Sequence, residues 1–309
     1  MNQTLYPNAP IAIFAYNRRD RLAAMMESLA ACDGFAHSEV TIFVDGPKSP
    51  AGAAAVEEVR QFVQALPHPN VRHVIAEKNS GLRNAISAGV GNIVEKHGRV
   101  IVLEDDLVLS PIALTYFNRA LDHYENDDSI WSIVGYIYDC PSLRDSGKTL
   151  TLPFTHPWGW ATWARAWRHF ELNGRPSDAD LASEAFQSAF DMNGLYPFTG
   201  QLRNSILGRV NSWYIHWYYA LFREGARSIF PPRRVLDNFG MNSGSHASSL
   251  NPFDRLVDRP ELLAVVPAFS DPDVVDYAAL DSLKSSWELR VHRWIAGAGA
   301  LKRRLKVSK

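Results

Sequence analysis

Cysteine is scarce: this chain of 309 residues has two, Cys32 and Cys140. That is too few for a disulfide framework and in keeping with a reducing compartment. An excess of one charge sign is missing too. Lys and Arg number 32 against 33 Asp and Glu, a formal net charge of −1, so no protein-wide field favours nucleic acid or anionic lipid. No apolar run is long enough to cross a bilayer. The stretch Met1–Pro10 has neither a basic nor an apolar run of the kind that opens a secretory signal, so none is expected. Internal repeats and low-complexity tracts are absent as well. What remains is a globular composition with 46% apolar residues, enough for a full core, and the cytoplasm is the expected location.

The first half alternates two kinds of segment. Short apolar runs predict strands at Ile11–Tyr16, Val40–Asp45, Val71–Ala76 and Val100–Glu104. Segments with helical spacing follow them at Asp20–Cys32, Ala53–Leu66, Leu82–His97 and Ile112–Tyr124. Alternation of this sort predicts an α/β fold with a mostly parallel sheet flanked by helices. Ligands of such sheets collect beyond the carboxyl ends of the strands. Three of the four strands end there in polar groups: Asn17-Arg18, Asp45-Gly46 and Glu104-Asp105-Asp106.

A further strand is expected at Ile130–Ile137, followed by an irregular loop. The second half is rich in aromatics, with helices expected at Ala161–Phe170, Leu181–Asp191 and Ser212–Glu224. Trp160, Trp163 and Trp167 stand at i, i+3 and i+7, one face of a helix and more often core than ligand platform. From Lys284 to Lys309 there are eight Lys/Arg against one acid, Glu288. This basic tail is either a solvated terminus or a surface anchor beside an anionic membrane.

A strand that stops at three carboxylates must give them to solvent or to a cation, since burying unpaired charge is costly. In extended chain, Glu104 and Asp106 point to one face and Asp105 to the other. Carboxylate oxygens suit Mn2+ or Mg2+, with phosphate oxygens completing the shell. An acidic strand-to-loop junction without ligand is the bland alternative.

Three stretches carry a resemblance: Ile13-Phe-Ala-Tyr-Asn-Arg18, Val102-Leu-Glu-Asp-Asp-Leu107 and Asn238-Phe-Gly-Met-Asn-Ser-Gly-Ser-His246, with Gly159-Trp160 between them. Their order and spacing resemble the GT-A (Rossmann-like) nucleotide-sugar glycosyltransferases, and within them N-acetylglucosaminyltransferase I and its bacterial relatives. The resemblance implies Asp106 as metal ligand, Asp105 facing the ribose and Glu104 facing the donor sugar. It implies a nucleotide contact at Arg18, with Tyr16 and Asn17 beside it, a base contact at Asp45, and Trp160 near the donor sugar. Asp45 reads equally as a turn residue before Gly46. Asn79, Gly81, Arg83 and Asn84 open the helix that leads to the acidic strand and are secondary donor-binding candidates. His246, in a loop that closes over the donor in the resembling family, is a second metal candidate or a solvated histidine.

Inversion at an anomeric carbon needs a general base. The resembling family takes it from Asp-Asp-Trp, where this chain has Asn211-Ser212-Trp213. Replacement candidates are His156, Asp139 and Asp237, in that order. Residues 1–250 are expected to form the transferase domain, with a nucleotide-sugar half at 1–150 and an aromatic-rich acceptor half at 151–250. Residues 251–309 form a C-terminal extension ending in the basic, helical tail. The expected partners are a nucleotide-sugar, UDP-sugar foremost, and a glycan or glycolipid acceptor, with no nucleic acid and with peripheral contact at the inner membrane. Two rivals stay open. A sugar nucleotidyltransferase opens with a Gly-rich loop where this chain has Tyr16–Asp20. A sugar-nucleotide-binding scaffold would need no base.

Overall fold

The computed structural model of the chain describes residues 7–238 and 261–294. The apolar run Ile11–Ala15 forms strand β1 and is buried at every position, as a strand covered on both faces must be. It lies between β2 (Val40–Val44) and β4 (Arg99–Glu104), with β3 (Val71–Ile75) outside β2, and these pairings are all parallel. Helices α1 (Arg19–Ala30), α2 (Ala53–Gln64) and α3 (Leu82–His97) return the chain between them. The end of α3 falls where the sequence placed it. Gly98, at φ 77°, takes the left-handed conformation that closes a helix, and its N–H reaches back to Val94 O.

Beyond β4 the sheet continues through β8 (Trp160–Trp163), β6 (Ile130–Val134), β9 (Arg227–Phe230) and β7 (Leu150–Leu152). The order is β3-β2-β1-β4-β8-β6-β9-β7. Strands β8 and β7 run against the other six. The mostly parallel α/β sheet expected from the sequence is thus present. Alternation along its strands divides the core. Ala12, Phe14, Val100 and Val102 join α3 and α10 (Tyr214–Arg223) on one face. Ile11, Ile13, Ile101 and Leu103 join α1, α2 and α4 (Ala113–His123) on the other.

Several expectations from the second half need correction. The helix expected at Ala161–Phe170 is strand β8 followed by the one-turn helix α6 (Ala164–Trp167). Pairing with Val102 and Val134 holds Trp160 extended, so Trp160 and Trp163 lie on opposite faces of the sheet rather than on one helical stripe. The helix expected at Leu181–Asp191 is broken at Ser183, which ends α7 (Asp178–Ala182) and caps α8 (Glu184–Phe190) by accepting from Phe186 N. The loop after β6 contains a helical turn, α5 (Pro141–Arg144). Strands β7 and β9 and the helix α9 (Phe198–Ile206) were not anticipated.

Residues 261–294 fold back onto the sheet. Lys148 bridges to Ala268, and the hydroxyls of Thr149 and Thr151 bond that of Ser270. Helix α11 (Tyr277–Ser285) and the helical residues 287–294 then bury Leu280, Leu283 and Leu289 in the α10-side core. The basic segment that begins at Lys284 therefore starts inside the fold rather than as a solvated tail. Among the described residues, no helix is long and apolar enough to cross a membrane.

Candidate functional site

The last ladder bond of β4 is Asp105 N to Phe14 O. The chain then turns at Asp105-Asp106 and enters β5 (Leu107–Leu109), which pairs antiparallel with β10 (Leu236–Asn238). The acidic turn is therefore pinned by β1 on one side and β10 on the other. Arg18, at the entrance of α1, reaches it with both arms: Nη2 to Asp105 Oδ1 at 2.5 Å and Nη1 to Asp106 Oδ2 at 2.9 Å. Tyr16 N donates to Asp105 Oδ2 at 3.3 Å, and Asn238 Nδ2 to Asp106 Oδ1 at 3.2 Å. The alternation expected for extended chain does not hold, because the turn lets a single guanidinium grip both aspartates.

Three acids share that one cation. Burial, reinforced by Asp106 and Asp105, pushes the Glu104 carboxyl up to about 8, with Arg18 pulling the other way. Burial likewise pushes Asp105 up to about 6 against the opposing pull of Arg18. Arg18 is held more firmly protonated by Asp105 and Asp106, although burial works in the other direction. The turn is short of positive charge.

The neighbouring strand end is organised differently. Asp45 accepts from Gly46 N (2.9 Å), Ser80 N (2.8 Å), Gly81 N (2.8 Å), Asn79 Nδ2 (2.9 Å) and Ser80 Oγ (3.3 Å). A carboxylate offers about four acceptor sites, so Asp45 is saturated by the loop it clamps, and a base N–H would have to displace one of these donors. Asn79 Nδ2 also bonds Gly46 O, and Asn84 turns back to Ser80 O. Arg83 reaches away to Leu172 O and Asn173 Oδ1. The Tyr16 hydroxyl accepts from Lys48 N at 3.0 Å, and Asn17 is exposed at the same edge.

Between the ends of β6 and β8 lies a group of rings. Tyr136 stacks on His156 with centroids 4.6 Å apart, Trp158 packs edge-on to both, and His292 closes the group against Tyr138 and Trp158. Burial, with His292 and Arg234 adding to it, pulls the His156 imidazole well below its usual range, so it is neutral. Asp139 is bound to Arg144. Asp237 pairs with Arg234 at 2.9 Å and adjoins Asn238, the residue bonded to Asp106. Trp160, expected near the donor sugar, is interior, stacked on Trp213 at 5.2 Å, and its Nε1 has no hydrogen-bond partner. Asn211 stands close to Gly81, where an added Cβ would lie 3.5 Å from Asn211 Nδ2.

Sequence reasoning missed Asn238's bond to the acidic turn and a buried ionic group behind it. Arg234 binds Glu288 at 2.5 Å, and Glu288 also accepts from Tyr136 OH (2.6 Å) and Asp139 N (2.8 Å). The available signal was a lone acid in a cationic run.

Among the described residues no group of three His, Cys, Asp or Glu could hold a metal ion, and His246 lies outside them. Asp106 alone still fits Mg2+ or Mn2+ held largely by substrate oxygens, the usual arrangement for these ions at phosphates, and the unbalanced acids favour it. Arg18 must first release Asp106 Oδ2. A cavity of about 540 Å³, lined by residues such as Phe222, Arg227 and Tyr277, opens at the amino end of β9, the opposite sheet edge from the acids.

The model of a family described as "Glycosyltransferase like family 2" matches residues 7–187, a span that contains β1–β6, the acidic turn and β8. Among solved structures the chain is similar to the mannosyltransferase PcManGT from Pyrobaculum calidifontis in complex with GDP-Man and Mn2+. Identity is 13% over 71% of this chain and 77% of that one, with a TM-score of 0.39. It is also similar to GalNAc-T7 with UDP, GalNAc and Mn2+, at 12% identity over 73% of this chain and 43% of that one, with a TM-score of 0.43. Neither likeness is close enough to transfer residue roles.

Proposed function

Since the chain belongs to glycosyltransferase like family 2, we propose that it carries a sugar from a nucleotide-sugar, UDP-sugar foremost, to a hydroxyl of a glycan or glycolipid, with inversion and with Mn2+ or Mg2+ bound. The observation that carries this reading is the acidic turn: three carboxylates at the carboxyl end of β4, inside the family-matched residues, served by one arginine.

Arg18 is suited to a diphosphate, because its planar fork matches paired oxygens. On donor entry one arm passes from Asp106 to phosphate, and Asp106 is released to hold the cation. A divalent ion held there would neutralise charge gathering on the departing diphosphate. Asn238 keeps the other Asp106 oxygen oriented. Asp105, steadied by Tyr16 N, takes the ribose side, and Glu104 the donor sugar. For the acceptor proton, Asp237 is the candidate tied to the acidic turn through Asn238. His156, buried and neutral, comes second, and Asp139, committed to Arg144, third. A bacterial surface polysaccharide or lipopolysaccharide is the acceptor class we favour, with the enzyme on the cytoplasmic side and its basic C-terminal residues near the inner membrane.

A thermal-shift screen of UDP-, GDP- and dTDP-sugars with and without Mn2+ tests donor and metal together. Stabilisation by a UDP-sugar that needs the metal is expected. Asp106→Asn should lower metal-dependent donor turnover by about a hundredfold or more, as removal of one electrostatic stabiliser does elsewhere. Undiminished turnover in that variant would end the assignment. A sugar-nucleotide-binding scaffold is the second reading, favoured by Asn211-Ser212, neither residue a competent base, beside Gly81. Donor binding without any release of free nucleotide would select it.

A further inference from the structure

Eight large apolar side chains stand open to solvent among the described residues, and five of them fall in the short segment 261–294: Val265, Val274, Tyr277, Trp287 and Trp294. The two tryptophans are 59% and 63% exposed. They sit at i and i+7 of the helical residues 287–294, with Arg290 at i+3 and Arg293 beside Trp294, both exposed. At 3.6 residues per turn these positions form one outward stripe. The inward stripe is committed. Glu288, Leu289 and Val291 are buried, and His292 packs on Tyr138 and Trp158.

We propose that this outward face docks on an anionic phospholipid surface. Indole rings settle at the headgroup level, where one edge is apolar and the other wet, and arginine stems lie along apolar surface while the guanidinium meets phosphate. The fifteen residues that follow add Lys302, Arg303, Arg304, Lys306 and Lys309 and no acid, so attraction to an anionic leaflet strengthens along the chain. A second copy of this face is a poor occupant, since a self-complementary contact would set the two arginines of one copy against the same cationic face of the other, with no exposed acid on it to pair with them.

The docking face also has a fixed relation to the sheet. Glu288 bonds Tyr136 OH and Asp139 N, and Ser286 Oγ bonds Asp139 O. These partners follow the carboxyl end of β6, so the helix sits at the same sheet edge as the acidic turn. A protein docked this way turns that edge toward the bilayer, where a lipid-linked acceptor would be presented. This orientation rests on the site proposed above, whereas the docking itself does not.

The test is flotation of the full chain with vesicles of phosphatidylcholine alone or mixed with phosphatidylglycerol, in low and high salt. Binding to the mixed vesicles is expected, weakened by salt. Trp287→Ser with Trp294→Ser should bind about tenfold more weakly, and Arg290→Gln with Arg293→Gln should behave alike. Thermal midpoints of the variants, read beside the parent's, separate lost docking from lost fold, and Trp287→Ser alone, with that side chain 59% exposed, should keep the parent's midpoint and still bind more weakly. The proposal is overturned if the parent chain ignores anionic vesicles, if the tryptophan variant floats as well as the parent, or if the tryptophans instead prove necessary for a dimer or for RNA binding. Release of nucleotide from a soluble donor, measured on the same preparations, reports on the transferase reading separately.

Discussion

An arginine that spans two adjacent carboxylates can surrender one of them without losing hold of the acidic turn. Lysine presents a single point charge and must choose. Arg18→Lys should therefore leave the fold intact but raise the donor KM about tenfold, the scale of one lost charge-assisted bond, as titration of initial rates would show. Gly159 is constrained in another way. Its φ of +56° is a left-handed conformation, and an added Cβ would lie 2.0 Å from Leu236 Cδ2. Strain and overpacking act together, so Gly159→Ala should cost about 3 kcal/mol, read as a lower midpoint in urea. Leu236 immediately precedes Asp237, so the same change presses on β10 behind the acidic turn. Arg18 and the acidic turn stood out in the sequence as candidates, because charged groups at the end of an apolar run have few destinations, but the grip of Arg18 on both aspartates was not foreseen. Asp45 was legible as a candidate, but four of its five donors come from a loop more than thirty positions away. Asn238 was invisible as a partner of Asp106 for the same reason: 132 positions separate them, and no local pattern records the meeting.

At the level of elements, β1 and β4 were readable because strands covered on both faces are continuous apolar runs, whereas the edge strand β3, with Arg72 and His73 exposed, was marked by its β-branched ends and its place between two helical segments. Helix α3 was readable because Gly98 marks its end. Strand β8 was not, since tryptophans at 160, 163 and 167 satisfy a helical spacing equally well, and the decision belongs to Val102 and Val134 in neighbouring strands. Strands β7 and β9 are three and four residues long, too short for periodicity to speak. Glu288 neutralises Arg234, whose side chain is 3% exposed. Glu288→Gln leaves that guanidinium short of a counter-charge and should destabilise the protein by about 3 kcal/mol, seen by chemical denaturation. Arg234 also holds Asp237, next to Asn238, so the variant should weaken donor binding along with stability.

Over the whole molecule, protonation pulls stability in two directions. Burial lowers the pKa of His156, His216 and His292, so the folded chain refuses protons that the unfolded chain accepts below about 6.5. Their contribution is flat above that value and is lost as pH falls. Glu104 and Asp105, raised to about 8 and about 6, act oppositely: the folded state keeps protons that the unfolded state has shed, and that stability fades as pH rises through those values. The two sets separate by difference. His156→Phe keeps the ring stack on Tyr136 and removes one titrating group. Relative to the parent it should gain about 1.4 kcal/mol per pH unit below about 6.5, and show no pH-dependent difference above it. Urea midpoints at several pH values would show whether that divergence is present.

The inward stripe of residues 287–294 also limits how the protein can be shortened. A chain cut before Leu283 would lose two buried leucines and one of the two counter-ions of Arg234 along with its cationic run, and its inactivity would report a breached core. Cuts placed after Trp294 remove five of the basic residues and leave every buried contact described here in place, so a truncation series should begin there.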